Sequence, residues 1–196
     1  MSEYEMMQWA GVAAGGVVVG FGIYGFVRFS RQLDAMWPDT AKKYGLTYTK
    51  TNDGSALTNS KEHHALSGPA LSVNSTRERI GKTTRTSTAV VATSTTALPA
   101  LTMEVSRYRP KATLHLVSTG DAKFDGLRFV TCEARDVAAK LLTPAVRAAL
   151  LSCQHWTLRV TLTQGQVVVS FGQLPTSVAD LHGPIDAALA LARGTP

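Results

Sequence analysis

Apolar and polar positions follow three different rhythms along this chain. From Met6 to Val27 the sequence MMQWAGVAAGGVVVGFGIYGFV runs 22 residues without a charge. At about 1.5 Å rise per residue that stretch makes a helix of roughly 33 Å, enough for a hydrocarbon core of about 30 Å. Its leading flank, MSEYE, has no Lys or Arg, and bulky Ile23, Tyr24, Phe26 and Phe29 stand where a cleavage site would be. Both features argue against a removable signal peptide. The pattern predicts a single transmembrane helix over residues 6–29, after a short tail at 1–5 and before a juxtamembrane helix or linker at 30–45.

From residue 46 the rhythm shortens. Leu46, Tyr48 and the following Thr residues alternate, and Asn52-Asp53-Gly54 has turn chemistry. Residues 52–67, which are polar, read as a loop around a short strand. Pro69–Arg79, Thr83–Thr96 and Leu101–Tyr108 read as strands, because Thr-rich alternation with scattered Val suits a half-buried antiparallel sheet.

The third regime mixes both periods. Leu127–Ala134 reads as a strand with Leu127, Phe129 and Thr131 on the core face, and Asp136–Leu142 as a helix capped by Asp136. Thr143-Pro144 opens another helix that runs to about Leu151. His155–Thr163 and Gln166–Phe171 form paired strands around Gln164-Gly165. A helix opens at Pro175-Thr176-Ser177, with a break expected near Gly183 because Pro184 cannot donate within it. The expected fold class is therefore α+β: an N-terminal single transmembrane helix, then a soluble domain over 46–196 with a mainly antiparallel sheet and late helices.

Charge refines the picture. All 20 basic residues lie at or beyond Arg28, against 12 of the 14 acids, an excess of +8 outside the span. Arg28, Arg31, Lys42 and Lys43 follow the span and no basic residue precedes it. That bias predicts a bacterial inner-membrane protein with its N-terminus outside and its domain in the cytoplasm. Cys132 and Cys153, outside any CxxC pattern, fit a reducing compartment as packed free thiols.

Within the span, Gly11, Gly15 and Gly22 share one helix face, and Gly16 and Gly20 an adjacent one. Small residues let two backbones approach closely in lipid, so these faces predict self-association or docking on another membrane protein. In the soluble part Arg77, Arg79, Lys82 and Arg85 surround one turn, and Arg107, Arg109 and Lys111 end another strand. If those strands pair, the two rows merge into one basic patch facing anionic lipid headgroups. Nucleic acid is disfavoured, since Tyr108 is the one aromatic residue among these cations.

Signatures of chemistry are weak. Gly81-Lys82-Thr83 lacks the Gly five places earlier that a phosphate-binding loop needs, since Thr76 stands there. Adjacent His63 and His64 lack the i, i+4 spacing of a helical ligand pair and read as a solvated loop. His115, His155 and His182 are isolated, and no Ser lies in GxSxG. Asp121 and Asp125 read as carboxylates flanking a turn, from which Phe124 folds into the core together with Phe129. No catalytic residue, metal ligand or cofactor site is expected.

The segment Thr119–Pro144, TGDAKFDGLRFVTCEARDVAAKLLTP, carries a pattern at Asp121, Phe124, Asp125, Phe129, Val130, Asp136, Leu142, Thr143 and Pro144. With the paired strands LRVTLTQGQVVVSF after it, residues 119–172 resemble the core of a family of bacterial membrane-associated proteins of unknown function. The resemblance implies a membrane-linked cytoplasmic domain and supplies no activity. The sequence thus reads as a single-pass, non-catalytic binding or scaffold domain, an accessory subunit of a membrane assembly. The alternatives are a tethered enzyme whose site assembles only in three dimensions, or an extracytoplasmic sensor domain.

Overall fold

A computed structural model describes residues 35–54, 59–111 and 115–194. The chain divides into two compact units, Met1–Met36 and Trp37–Pro196, and the sheet and its helices belong to the second.

After helix α1 (35–44) come β1 (Thr47–Gly54), β2 (Asn59–Ser67), β3 (Leu71–Ile80), β4 (Thr83–Thr93), β5 (Leu101–Ser106) and β6 (Leu116–Val117). Then follow α2 (Ala122–Leu127), β7 (Phe129–Thr131), α3 (Arg135–Leu141), α4 (Pro144–Ser152), β8 (Thr157–Thr163), β9 (Gln166–Phe171) and α5 (Val178–Ala192). The strands form one nine-stranded sheet in the order β1-β2-β3-β4-β9-β8-β5-β7-β6. Every pairing is antiparallel.

Strand period two decides which side is core. One register row crosses six strands through Leu66, Val73, Val90, Val169, Val160 and Met103. All six are at 0 % exposure. Burying each such side chain stabilises by about 1.5–3 kcal/mol, so this row is the spine of the core. Helix α5 lies across β4 and β9, α4 packs on α5, α2 on α4, and α3 on β6. The opposite face carries Thr76, Ala89, Val91, Val168 and Thr161, all half-buried, and among the described residues is the more open of the two.

The expected fold class needs correcting on its first element. No helix among the described residues is long and apolar enough to cross a membrane. The span expected at 6–29 lies outside the described residues, as do Gly11, Gly15, Gly16, Gly20 and Gly22. The antiparallel sheet and the late helices are as expected.

Four local readings also change. Residues 59–67 pair along their whole length as β2, which places His63 and His64 in a strand. Leu127 ends α2 and is 55 % exposed. Only Phe129–Thr131 is strand, and Val130 takes the core face, leaving Phe129 half-buried on the other side. Phe124, expected in a turn, sits in α2 at 0 % exposure. Helix α3 is capped at Ala134 without a side-chain bond, so Asp136 lies in its first turn.

The expected break at Gly183-Pro184 does not occur, and α5 runs through both. Pro184 has no N–H for the Asp180 carbonyl four residues back. His155 Nε2 donates to that carbonyl at 2.9 Å, so the acceptor is satisfied from another element. Gly183 has a separate reason to be there. A Cβ at 183 would lie 2.9 Å from Cys153 Sγ and 3.0 Å from its Cα, so only Gly lets the end of α4 approach α5.

Candidate functional site

An enzyme would need buried polar groups poised for chemistry. His155 is 3 % exposed and stacks on Phe171 with centroids 3.7 Å apart. Besides donating to Asp180, it brings Nδ1 within 3.3 Å of the Gln173 amide. Burial alone would raise the Asp180 carboxyl, but the Thr176 N–H and hydroxyl and the Ser177 N–H hold it below its ordinary value. This pair lines a cavity of about 500 Å³ with Thr86 and Gln154, and both of its members are engaged in holding the start of α5.

Expected to lie in a solvated loop, His64 is 7 % exposed instead. Trp37 stacks on its ring at 4.8 Å, and Nδ1 lies 2.9 Å from the Tyr48 hydroxyl. Its Nε2 lies 3.1 Å from Glu62, whose carboxylate also takes Lys50 at 3.0 Å. Burial acts to raise the Glu62 carboxyl, and the contacts with Lys50 and then His64 outweigh it and hold it low. The cluster fastens α1 to the first two strands.

Asp121 and Asp125 are turn carboxylates. Asp121 accepts from the Lys123 and Phe124 N–H groups at the start of α2 and from Arg147 Nε at 3.1 Å. The Phe124 N–H, followed by the Arg147 charge, holds it below the usual range. Asp125 accepts from the Thr119 N–H and hydroxyl and from Ser118. A hollow of about 540 Å³ on the open face is lined by Glu104, His115, Cys132, Glu133 and Arg159. Among the described residues no three His, Cys, Asp or Glu converge as a metal site.

The expected basic rows sit differently from their sequence arrangement. Strands β3 and β5 do not pair; β4, β9 and β8 lie between them, so the rows do not merge across one ladder. The first row is itself split by the pleat. Arg85 lies in a cross-strand line Asp53–Lys61–Glu78–Arg85 on the open face, where signs alternate. Arg77 and Arg79 share the helix-side face, and Lys82 is in the turn. The β3–β4 hairpin runs five residues beyond Thr88, which faces the last residue of β9, so its tip projects roughly 17 Å.

The second row ends β5 and carries more. Register places the end of β3, the end of β5 and the start of β8 at one end of the sheet. There the Arg107 N–H donates to the Trp156 carbonyl, and the Tyr108 and Trp156 rings stack at 5.0 Å. Both rings are outside the core, at 59 % and 50 % exposure. Ser106 faces Phe129, and exposed Leu127 ends α2 two residues before Phe129, at this same end of β7. Arg107 and Arg109 flank Tyr108 in the chain, Lys111 follows two residues later, and all three are exposed.

Beneath them Arg128 is 3 % exposed and donates to the carbonyls of His155 and Cys153, and Arg107 also donates to Cys153 at 3.1 Å. Two guanidiniums thus satisfy the carbonyl end of α4, where positive charge is favoured. Burial, then the Arg107 charge, pushes the Arg128 pKa down.

No protein-family model matches the chain, and none of the curated proteins does. Among solved structures, the crystal structure of the mycobacterial trehalose monomycolate transport factor A, TtfA, superposes with a TM-score of 0.41 at 12% identity. The match covers 86% of this chain and 98% of that one. A likeness of that size carries no conclusion about activity.

Of the six large apolar side chains exposed among the described residues, Tyr108 and Trp156 stack on each other here, whereas Ile80 lies at the β3–β4 hairpin tip, four strands away in the sheet order. Sequence reading found Tyr108 and its cations and missed Trp156 and Leu127. Trp156 is 48 positions from Tyr108, and only the β5–β8 pairing brings them together. Leu127 was assigned inward through the wrong phase of β7.

Proposed function

We propose that this domain is a non-catalytic binding module, an accessory part of a bacterial membrane-linked assembly at the inner surface of the cytoplasmic membrane. One observation carries the reading: the Tyr108 and Trp156 rings stack on each other in the open, with exposed Arg107 and Arg109 on either side of Tyr108 in the chain. Such groups are normally dispersed, and a mixed cluster of this kind marks a contact surface. The inward histidines and acids support the same reading, because their hydrogen bonds go to helix ends and strand crossings. The buried free thiols Cys132 and Cys153 accord with the compartment.

The test is cysteine protection on native membranes. Because the natural thiols are buried, Arg109→Cys and Asp136→Cys in the full chain each supply one accessible site, Asp136 lying in α3, which follows the opposite end of β7 from the one paired with Ser106. Arg109→Cys should react with a maleimide several-fold more slowly on native membranes than after detergent extraction, while Asp136→Cys reacts equally in both. Equal rates at Arg109→Cys would mean that this end of the sheet meets nothing.

A further inference from the structure

Resting on the reading that this end is a contact surface, we infer that its partner is the anionic lipid surface itself, with Tyr108, Trp156 and Leu127 seated at headgroup level and Arg109 and Lys111 on the phosphates. Three features of the patch fit that occupant. Tyr and Trp are amphipathic rings that favour the boundary between hydrocarbon and water. The two rings are stacked on each other at 5.0 Å with planes 18° apart, so each has one face already covered. A nucleobase platform would instead keep faces open in series along a groove.

Leu127 separates the candidates further. An aliphatic side chain 55 % exposed at the same end of the sheet has no partner in a stacked strand of bases, but adds apolar area to insertion in a bilayer interface. The cations complete the match. Arg107, Arg109 and Lys111 occur within five residues with no acid among them, and among the described residues none is ion-paired. Each basic side chain near an anionic leaflet adds a Coulombic attraction that salt screens within about 10 Å. Arg107 also bonds the end of α4, so Arg109 and Lys111 are the two cations that can be neutralised without touching the fold.

The experiment uses the full chain with protein-free vesicles, comparing phosphatidylcholine alone with a mixture containing about one-third phosphatidylglycerol. The readout is quenching of Trp156 fluorescence by bromine-labelled acyl chains, isolated as the component lost in Trp156→Phe. This reports the patch whatever other segment meets the vesicle. Quenching is expected on anionic vesicles and absent on neutral ones, and it should fade at high salt. Arg109→Gln with Lys111→Gln should weaken it about 25-fold, at about fivefold for each charge removed, with an unchanged melting temperature.

Quenching that is absent, or equal on both vesicles, overturns the inference. So does tighter Trp156 quenching by a single-stranded oligonucleotide, which would make nucleic acid the partner. If Arg109→Cys is protected on native membranes while Trp156 stays unquenched on vesicles, the contact surface stands and its partner is a membrane protein.

Discussion

His155 makes the hydrogen bond that Pro184 cannot. Its Nε2–H reaches the Asp180 carbonyl at 2.9 Å, the acceptor that residue 184 of an ordinary helix would take. The two residues are coupled without touching through a shared carbonyl. His155→Phe keeps a ring against Phe171 and leaves the carbonyl buried and unpaired, which costs about 1–3 kcal/mol. Pro184→Ala supplies an N–H in its place. The double variant should therefore be more stable than His155→Phe alone, measured by denaturant unfolding. Additive losses would mean the carbonyl finds water.

Phe124 and Phe129 should differ sharply when truncated. Phe124→Ala empties a site at 0 % exposure and should cost about 3–5 kcal/mol. Phe129 lies half-buried on the open face opposite Ser106, and Phe129→Ala should cost less than about 1.5 kcal/mol. Similar losses in thermal melts would show that the open face is covered.

Gly183→Ala sets two effects against each other. Alanine gains about 1 kcal/mol of helix propensity. The new methyl, at 2.9–3.0 Å from Cys153 atoms that include its backbone, forces α4 and α5 apart and costs about 1–3 kcal/mol. The clash wins, so the melting temperature should fall. Burial pushes the Cys153 thiol up to about 12, and the natural variant should resist alkylation at neutral pH. Gly183→Ala should speed it.

Acid should weaken the fold in two stages. His182 is lowered from its ordinary 6.5 by burial and then by Lys43, whose Nζ lies 3.0 Å from Nδ1. The unfolded chain therefore takes that proton first, and the contribution is lost as pH falls from 6.5 through the lowered folded value. Asp180 and Glu62 are also held low, so their contribution is complete above about 4 and is lost as pH falls through their folded values. Melting temperature should drop in both windows. His182→Gln should flatten the first. Asp180→Asn should lower stability by about 1 kcal/mol at pH 7 and flatten the second.

Much of the fold was legible where a local rule had no competitor. Strand β9 (Gln166–Phe171) matches its expected bounds, because a turn at Gln164-Gly165 and alternating Val fix both ends. Thr143 and Pro144 open α4 as N-cap and first residue. Phe124 was rightly placed in the core but in the wrong element, since a helix of six residues hardly shows its period. For β7 the chain offers Leu127, Phe129 and Val130 as apolar choices, and a three-residue strand cannot reveal its own phase.

By itself the sequence determined an α+β domain with an antiparallel sheet, the helix cap at Thr143, and the cationic run at Arg107, Arg109 and Lys111, because hydrophobic period, capping chemistry and charge are properties of neighbouring residues. Tertiary structure alone decided that α5 survives Pro184, that His64 is buried against Trp37, and that Trp156 and Leu127 join Tyr108 in one exposed patch. Each depends on a strand pairing or helix contact between distant positions, and nothing local encodes which partner will satisfy a carbonyl, cover a ring or leave it bare.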